Sequence, residues 1–307
     1  MLDRLQSRNA LYAALRDFFS AREVLEVETP LMAPTTLPDP NVPSLTVAYA
    51  PEGAVPKQWY LQTSPEFFMK RLLAQGSGSI FQIGKAFRND HIGRHHRPEF
   101  SMLEWYRVGF DHHDLMDEMD ALLMMVLGGE KALRITYAEL FMQNVKLDPI
   151  EASAQDCLAV IEREQIQLSE ALQAADKDTL LNLILSHCIE PSLGFDRPCF
   201  MYDYPATQAA LARLSDDGLT AHRFEVYVCG IELANGFYEL NDSALQRERF
   251  ERYQAERIKQ GLTRLPNDEA FLACLDHLPD CAGVALGLDR LLMLKQSANT
   301  IDDVLAF

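Results

Sequence analysis

The sequence predicts an α+β fold with a mainly antiparallel sheet flanked by helices, and three observations carry that expectation. Strand-like and helical patterns follow one another without the regular βαβ alternation that a parallel sheet requires. Two pairs of strand-like runs lie close enough in sequence to form hairpins. The chain opens on a helix-period pattern in place of a secretory leader, and no apolar run reaches the roughly 20 residues that span a bilayer.

At 307 residues the chain is long enough for a substantial core. No repeat, low-complexity tract or linker interrupts it, so we expect a single domain over 1–307, in the cytoplasm. Its 45 acidic residues against 28 basic ones give a net charge of −17. That balance argues against a broad nucleic-acid footprint, which needs clustered Lys and Arg to neutralise phosphates. The six cysteines show neither CxxC pairs nor a framework spacing, so free thiols are expected.

Leu2, Leu5, Leu11, Leu15, Phe18 and Phe19 recur near helical spacing, which predicts an amphipathic helix over 2–22 running into the strand-like VLEVETP. Residues 33–57, rich in Pro and Thr, read as a loop. WYLQT (59–63) reads as a strand, after which Ser64 is placed as N-cap and Pro65 as first residue of a helix closed by Gly76. SIFQIGKAFRN and PEFSMLEWYRVGF read as antiparallel strands joined by a loop of about ten residues. On the second, Phe100, Met102, Glu104, Tyr106 and Val108 share a face. Helices are expected over 112–127, 153–188, 243–260 and near 267–277. HRFEVYVCGIELANGFYEL reads as a hairpin turning on Cys229-Gly230, which sets Tyr227 opposite Glu232 and leaves Glu225 as a diagonal neighbour of Glu232. GVALGLDRLLMLK closes the pattern as a strand entering a helix at Asp289.

Four arginines and three histidines crowd residues 87–107 of this acidic chain. Arg88 and Arg290 are the basic groups best placed for a polyphosphate, since guanidinium forks match phosphate oxygens at two points; surface salt bridging is the alternative. Glu225 and Glu232 suit Mg²⁺, which takes one or two carboxylates plus substrate phosphates; a pair of exposed hairpin carboxylates is the alternative. Glu66, Glu104 and Glu239 adjoin aromatic or apolar residues, a setting that selects an ammonium group. His91, His95 and His96 invite a zinc reading, but their spacing favours a polar loop segment.

These segments also occur in a known order. FFSAREVLEVETPLM resembles motif 1 of the class II aminoacyl-tRNA synthetases, FRND…HHRPEFSMLEWY resembles motif 2, and GVALGLDRLLML resembles motif 3. TSPEFFMKRLL and FEVYVCGIELANGFYEL are similar to the lysine-type branch. Nearly the whole chain is covered. The sequence opens on motif 1, so we expect no N-terminal anticodon-reading domain of the kind lysyl-tRNA synthetases carry; in this it resembles most the truncated paralogues that lysylate translation elongation factor P.

That resemblance implies a class II synthetase catalytic fold, a homodimer built through motif 1, ATP as substrate and Mg²⁺ as cofactor. It also implies (R)-β-lysine or lysine as the activated amino acid and elongation factor P, not tRNA, as acceptor. Arg88 is implied at the α-phosphate and Arg290 at the γ-phosphate, with Glu225 and Glu232 on the metal. Asn89, Asp90, Arg97, Phe100, Glu232, Leu233 and Gly287 complete the implied nucleotide site. Ser64, Pro65, Glu66, Glu104, Tyr106, Asn235, Phe237 and Glu239 line the implied amino-acid site. Asp90 and Arg97 depart from the Glu and Asn usual in motif 2, and Ala285 replaces the middle glycine of motif 3. A non-catalytic regulatory paralogue and a free-standing lysyl-adenylate or tRNA-acylating enzyme are the competing implications.

Overall fold

The computed structural model describes the backbone of residues 1–307 and every side chain except those of residues 170 and 171. In chain order it runs α1 (Leu2–Ser20), β1 (Leu25–Glu26), β2 (Met32–Ala33), β3 (Thr46–Tyr49), β4 (Lys57–Leu61), α2 (Glu66–Ala74), β5 (Ile80–Phe87), β6 (Glu99–Val108) and α3 (His112–Leu127). There follow β7 (Leu133–Thr136), α4 (Tyr137–Val145), α5 (Ala154–Arg163), α6 (Glu170–Gln173), α7 (Lys177–Ile184), β8 (Cys199–Pro205), β9 (Thr220–Val228) and β10 (Ile231–Tyr238). The chain ends with α8 (Ser243–Lys259), α9 (Glu269–Cys274), β11 (Cys281–Gly287) and α10 (Leu288–Lys295). These elements form two units, Met1–Asp111 with Leu240–Phe307, and His112–Glu239.

The first unit orders four strands as β1-β5-β6-β11. β5 and β6 pair antiparallel from Ile80 opposite Tyr106 to Phe87 opposite Glu99, as their alternation predicts. β11 runs antiparallel to β6, whereas β1 is parallel to β5. α1 buries only its C-terminal half: Leu11, Leu15, Phe18 and Phe19 are buried, while Leu2 and Leu5 are 66% and 47% exposed, contrary to the predicted continuous apolar face. Phe19 stacks on Phe81 at 4.5 Å between centroids and meets Trp105 edge-on, which fixes the helix to the sheet. The expected loop 33–57 contains β3, paired antiparallel with β4. Val47 and Tyr49 there carry a strand preference that the surrounding prolines obscure. Phe67 of α2 stacks on Phe271 of α9 at 4.0 Å.

The second unit orders β10-β9-β8-β7, antiparallel except for β7 beside β8. β7 and β8 are additions to the predicted elements. β8 is CFMYDYP, an apolar and aromatic run whose non-alternating burial hides the strand period. The helix expected over 153–188 is broken into α5, α6 and α7. Ser153 and Asp176 each cap a helix inside that range, accepting from the backbone N–H three residues on, so the break is written in capping residues. The core behind β8 and β9 gathers Tyr137, Phe141, Val160, Leu180, Ile184 and Met201. Gly194 approaches the β9 backbone so closely that a Cβ would lie 2.3 Å from the Tyr227 carbonyl oxygen, and its φ of +76° is itself a glycine conformation.

Candidate active site

In the first unit, motif 2 and motif 3 are brought together by β-sheet register. Gly283, Ala285 and Gly287 of β11 stand opposite Tyr106, Glu104 and Met102 of β6. Directly paired residues share a face, so Glu104 and Tyr106 look across a row of residues no larger than alanine. Glu104 is 2% exposed and accepts from the Tyr106 hydroxyl at 2.7 Å. A buried carboxylate thus stands beside a row of small residues.

Arg88 follows β5, its backbone N–H donating to the Pro98 carbonyl at 2.9 Å, and its guanidinium lies 5.2 Å from the Phe100 ring centroid. Arg290 sits in the first turn of α10. Its guanidinium donates to the His95 carbonyl at 3.3 Å and meets His96 Nε2 at 2.7 Å. Burial first, and then the charges of Arg94 and Arg290, lower the His95 pKa; burial and Arg290 do the same for His96. Both rings are therefore biased neutral, which lets His96 accept from Arg290. This loop thus serves Arg290 through the His95 carbonyl and the His96 ring.

Asp289, missed as a positioning residue, orients α10. It is 2% exposed, accepts from the Ser101 backbone N–H at 2.7 Å and pairs with Arg8 of α1 at 2.6 Å. A buried carboxylate immediately before a candidate phosphate ligand was the available signal. Arg97 turns back onto its own loop, donating to the Gly93 and His96 carbonyls, and pairs with Asp302. That pairing competes with the nucleotide role implied for it. Asn89 is exposed, with its N–H on the Pro43 carbonyl, and Asp90 is half-buried.

α2 begins one residue later than expected: Pro65 is the N-cap and Glu66 the first helical residue, its N–H reaching Ser64 Oγ at 3.3 Å. The Glu66 carboxylate is paired with the fully buried Lys70 at 2.6 Å. Sequence reasoning passed over Lys70, although i and i+4 on a helix are neighbours.

In the second unit the β9–β10 hairpin turns on Cys229 and Gly230, both with positive φ, as a two-residue turn demands. Glu232 lies opposite Tyr227 as predicted. That pairing keeps Glu225 the diagonal neighbour of Glu232; the register then shifts between Glu232 and Ala234, so that Leu233 is the extra residue and Asn235 and Phe237 come to lie opposite Glu225 and Arg223. The bulge reverses the side-chain parity beyond it, so Asn235 and Phe237 join Glu232 on the face of Glu225. Leu233 is buried, and Glu239 is 1% exposed, bridging to Ala212.

Glu225 is 7% exposed and both its oxygens are engaged, one by Arg223 at 2.5 Å and the other by the Tyr227 hydroxyl at 2.6 Å. Burial pulls the Arg223 pKa down, but Glu225, together with Tyr204 and Glu232, outweighs it and the net shift is upward. Burial, reinforced by Glu225, raises the Tyr227 hydroxyl well above its ordinary value, keeping it a donor. Glu190, Tyr204, Arg223, Glu225 and Glu232 line a cleft of about 450 Å³ within this unit. Its carboxylate oxygens are hard donors, and a carboxylate has about four lone-pair sites, so the set fits Mg²⁺ even with Glu225 already hydrogen-bonded. Period-2 alternation places Arg223 beside Glu225 and was the missed signal.

Motif order, sheet register and paired arginines define a synthetase of class II type. The family model described as tRNA synthetases class II (D, K and N) matches residues 1–307, and the chain belongs to that family. It is 49% identical to the elongation factor P–(R)-β-lysine ligase of Vibrio cholerae, over 100% of this chain and 95% of that protein. The proteins of the same name from Vibrio parahaemolyticus and Yersinia enterocolitica are 48% and 46% identical, with 95% and 94% of their lengths covered.

Proposed function

We propose that the chain is an ATP-dependent ligase that activates (R)-β-lysine and joins it to a lysine of translation elongation factor P. The observation that carries this reading is the β6–β11 face, where buried Glu104 stands opposite Ala285 in a row of small residues, in a chain similar over its whole length to ligases of that name.

In the first step the amino-acid carboxylate attacks the α-phosphorus of ATP in line; the α–β bridging bond breaks, pyrophosphate leaves, and an aminoacyl-adenylate remains. Positioning and charge neutralisation dominate such a transfer. Arg88 takes the α-phosphate and Arg290 the γ-phosphate, with Phe100, Asn89, Leu233 and Gly287 about the nucleotide. Glu225 and Glu232 would hold Mg²⁺, which neutralises phosphate charge when bound. Glu104, Glu239 and Glu66 answer the ammonium groups, with Glu66 shared with Lys70. In the second step the acceptor's ε-amine sheds its proton, attacks the adenylate carbonyl and forms an amide as AMP leaves.

Two features support a homodimer through motif 1: Leu2 and Leu5 of α1 and Leu25 of β1 are exposed, an apolar surface that a partner copy would cover. The net charge of −17 supports a protein acceptor over tRNA. Among the described residues no helix is long and apolar enough to cross a membrane.

The test is ATP–pyrophosphate exchange with (R)-β-lysine or lysine, followed by transfer to elongation factor P or tRNA. Exchange and amide formation on the factor are expected. Arg290→Ala should cost about 10²–10³-fold in exchange, the scale of a lost charge-stabilising donor. Exchange without transfer to the factor would overturn the acceptor; absence of exchange would favour the regulatory paralogue.

A further inference from the structure

A second cluster of metal-binding groups lies within the 112–239 unit. His112 opens α3, Asp203 sits in β8 and His222 in β9, and one ligand atom from each lies within 4.8 Å of the other two. His112 Nε2 is 3.6 Å from Asp203 Oδ1, and His222 Nδ1 is 3.9 Å from the same oxygen. Asp203 is delivered by an irregularity in the β8–β9 register between Tyr202 and Tyr204, where its φ is +57°. The His112 and His222 rings lie 4.6 Å apart and nearly parallel.

The His112 side chain is 5% exposed, and among the described residues neither of its ring nitrogens has a hydrogen-bond partner within 3.5 Å; the same holds for His222 Nδ1. Buried polar atoms are ordinarily satisfied. The separations are too long for hydrogen bonds, which lie near 2.7–3.2 Å. They approach the edge of a tetrahedron around one ion, roughly 3.4 Å for metal–ligand bonds of about 2.1 Å. The same three groups would make an ion pair if one ring were protonated, but they also present three lone pairs that a single cation can take.

We propose that His112, Asp203 and His222 form a site for a divalent transition metal of the Zn²⁺ class, with the remaining coordination position open to solvent. Two imidazole nitrogens and a carboxylate suit Zn²⁺ better than Mg²⁺, which prefers an all-oxygen shell. Asp203 and His222 are 29% and 27% exposed in their side chains and give the ion its entry. Bound there, the ion ties the start of α3 to β8 and β9, and acts as a clip on the unit independently of the adenylation site.

The full chain, stripped with chelator and dialysed into excess Mg²⁺, is titrated with ZnCl₂ by calorimetry, with melting temperature recorded in parallel. One Zn²⁺ per chain is expected, with a rise of about 5 °C when free Zn²⁺ stands a hundredfold above Kd. Asp203→Asn and His222→Gln, both at partly exposed positions, should weaken binding at least tenfold and abolish the thermal shift. Co²⁺ should give the visible absorption of a four-coordinate ion in the unaltered chain and lose it in Asp203→Asn. Absence of saturable binding by the unaltered chain overturns the proposal. So does a Zn²⁺ affinity unchanged in both variants, or a lower melting temperature in Asp203→Asn with no Zn²⁺ response in either protein, which would mark an ion pair only.

Discussion

The β6–β11 face of the first unit and the β9–β10 face of the second both bury glutamates, but they settle the charge differently. Glu104 accepts from a neighbouring hydroxyl and faces a strand of small residues. Glu225 is held by a guanidinium two residues away on its own strand and by the Tyr227 hydroxyl. The first face sets its carboxylate against small residues; the second balances its carboxylate in advance and opens onto a cleft. If the proposed roles hold, recognition of an amine and retention of a metal call for opposite surroundings around the same side chain.

The sharpest way to break this contrast is to remove Arg223. Arg223→Met strands the Glu225 carboxylate in a buried site and should cost about 3–5 kcal/mol of stability, read by denaturant unfolding. Arg223→Met combined with Glu225→Gln should recover more than half of that, because no buried charge is then left uncompensated. Equal losses in the single and double variants would mean that Arg223 acts through packing over Tyr204 and not through charge.

On the other face, Ala285→Val adds bulk directly opposite Glu104 and should raise the KM for the amino acid about tenfold or more, with the KM for ATP unchanged. Equal rises in both would show that the small-residue row serves the backbone and not the ligand. Ala285→Gly is the milder change. Restoring the glycine of the lysine-type motif should shift the relative adenylation of lysine and (R)-β-lysine, and an unmoved ratio would remove Ala285 from selectivity.

The β5–β6 pair, α3, α8 and the Cys229-Gly230 hairpin were legible in the sequence because period and turn chemistry agree there. The bulge at Leu233 was not: nothing in GIELANGF announces an inserted residue, and the parity of Asn235 and Phe237 hangs on it. Glu66, Arg97 and Asp289 were read singly, while the structure gives each a partner, Lys70, Asp302 and Arg8. Two of those partners lie more than 200 residues away in sequence, beyond the reach of any spacing rule.

The smallest expected effect concerns His96, the present acceptor for Arg290. Its pKa lies below the ordinary 6.5 because burial and Arg290 both disfavour the cation. For a histidine lowered on folding, the neutral ring's contribution is complete above about pH 6.5 and is lost as pH falls through the folded value. An NMR titration of the ring should therefore show a midpoint under 6.5, moving upward in Arg290→Ala. If Arg290 carries the γ-phosphate, saturating ATP must take the guanidinium from His96 and set a phosphate nearby, and both changes favour the imidazolium. The midpoint should then rise on adding ATP, and one that stays fixed while ATP binds would remove Arg290 from the triphosphate.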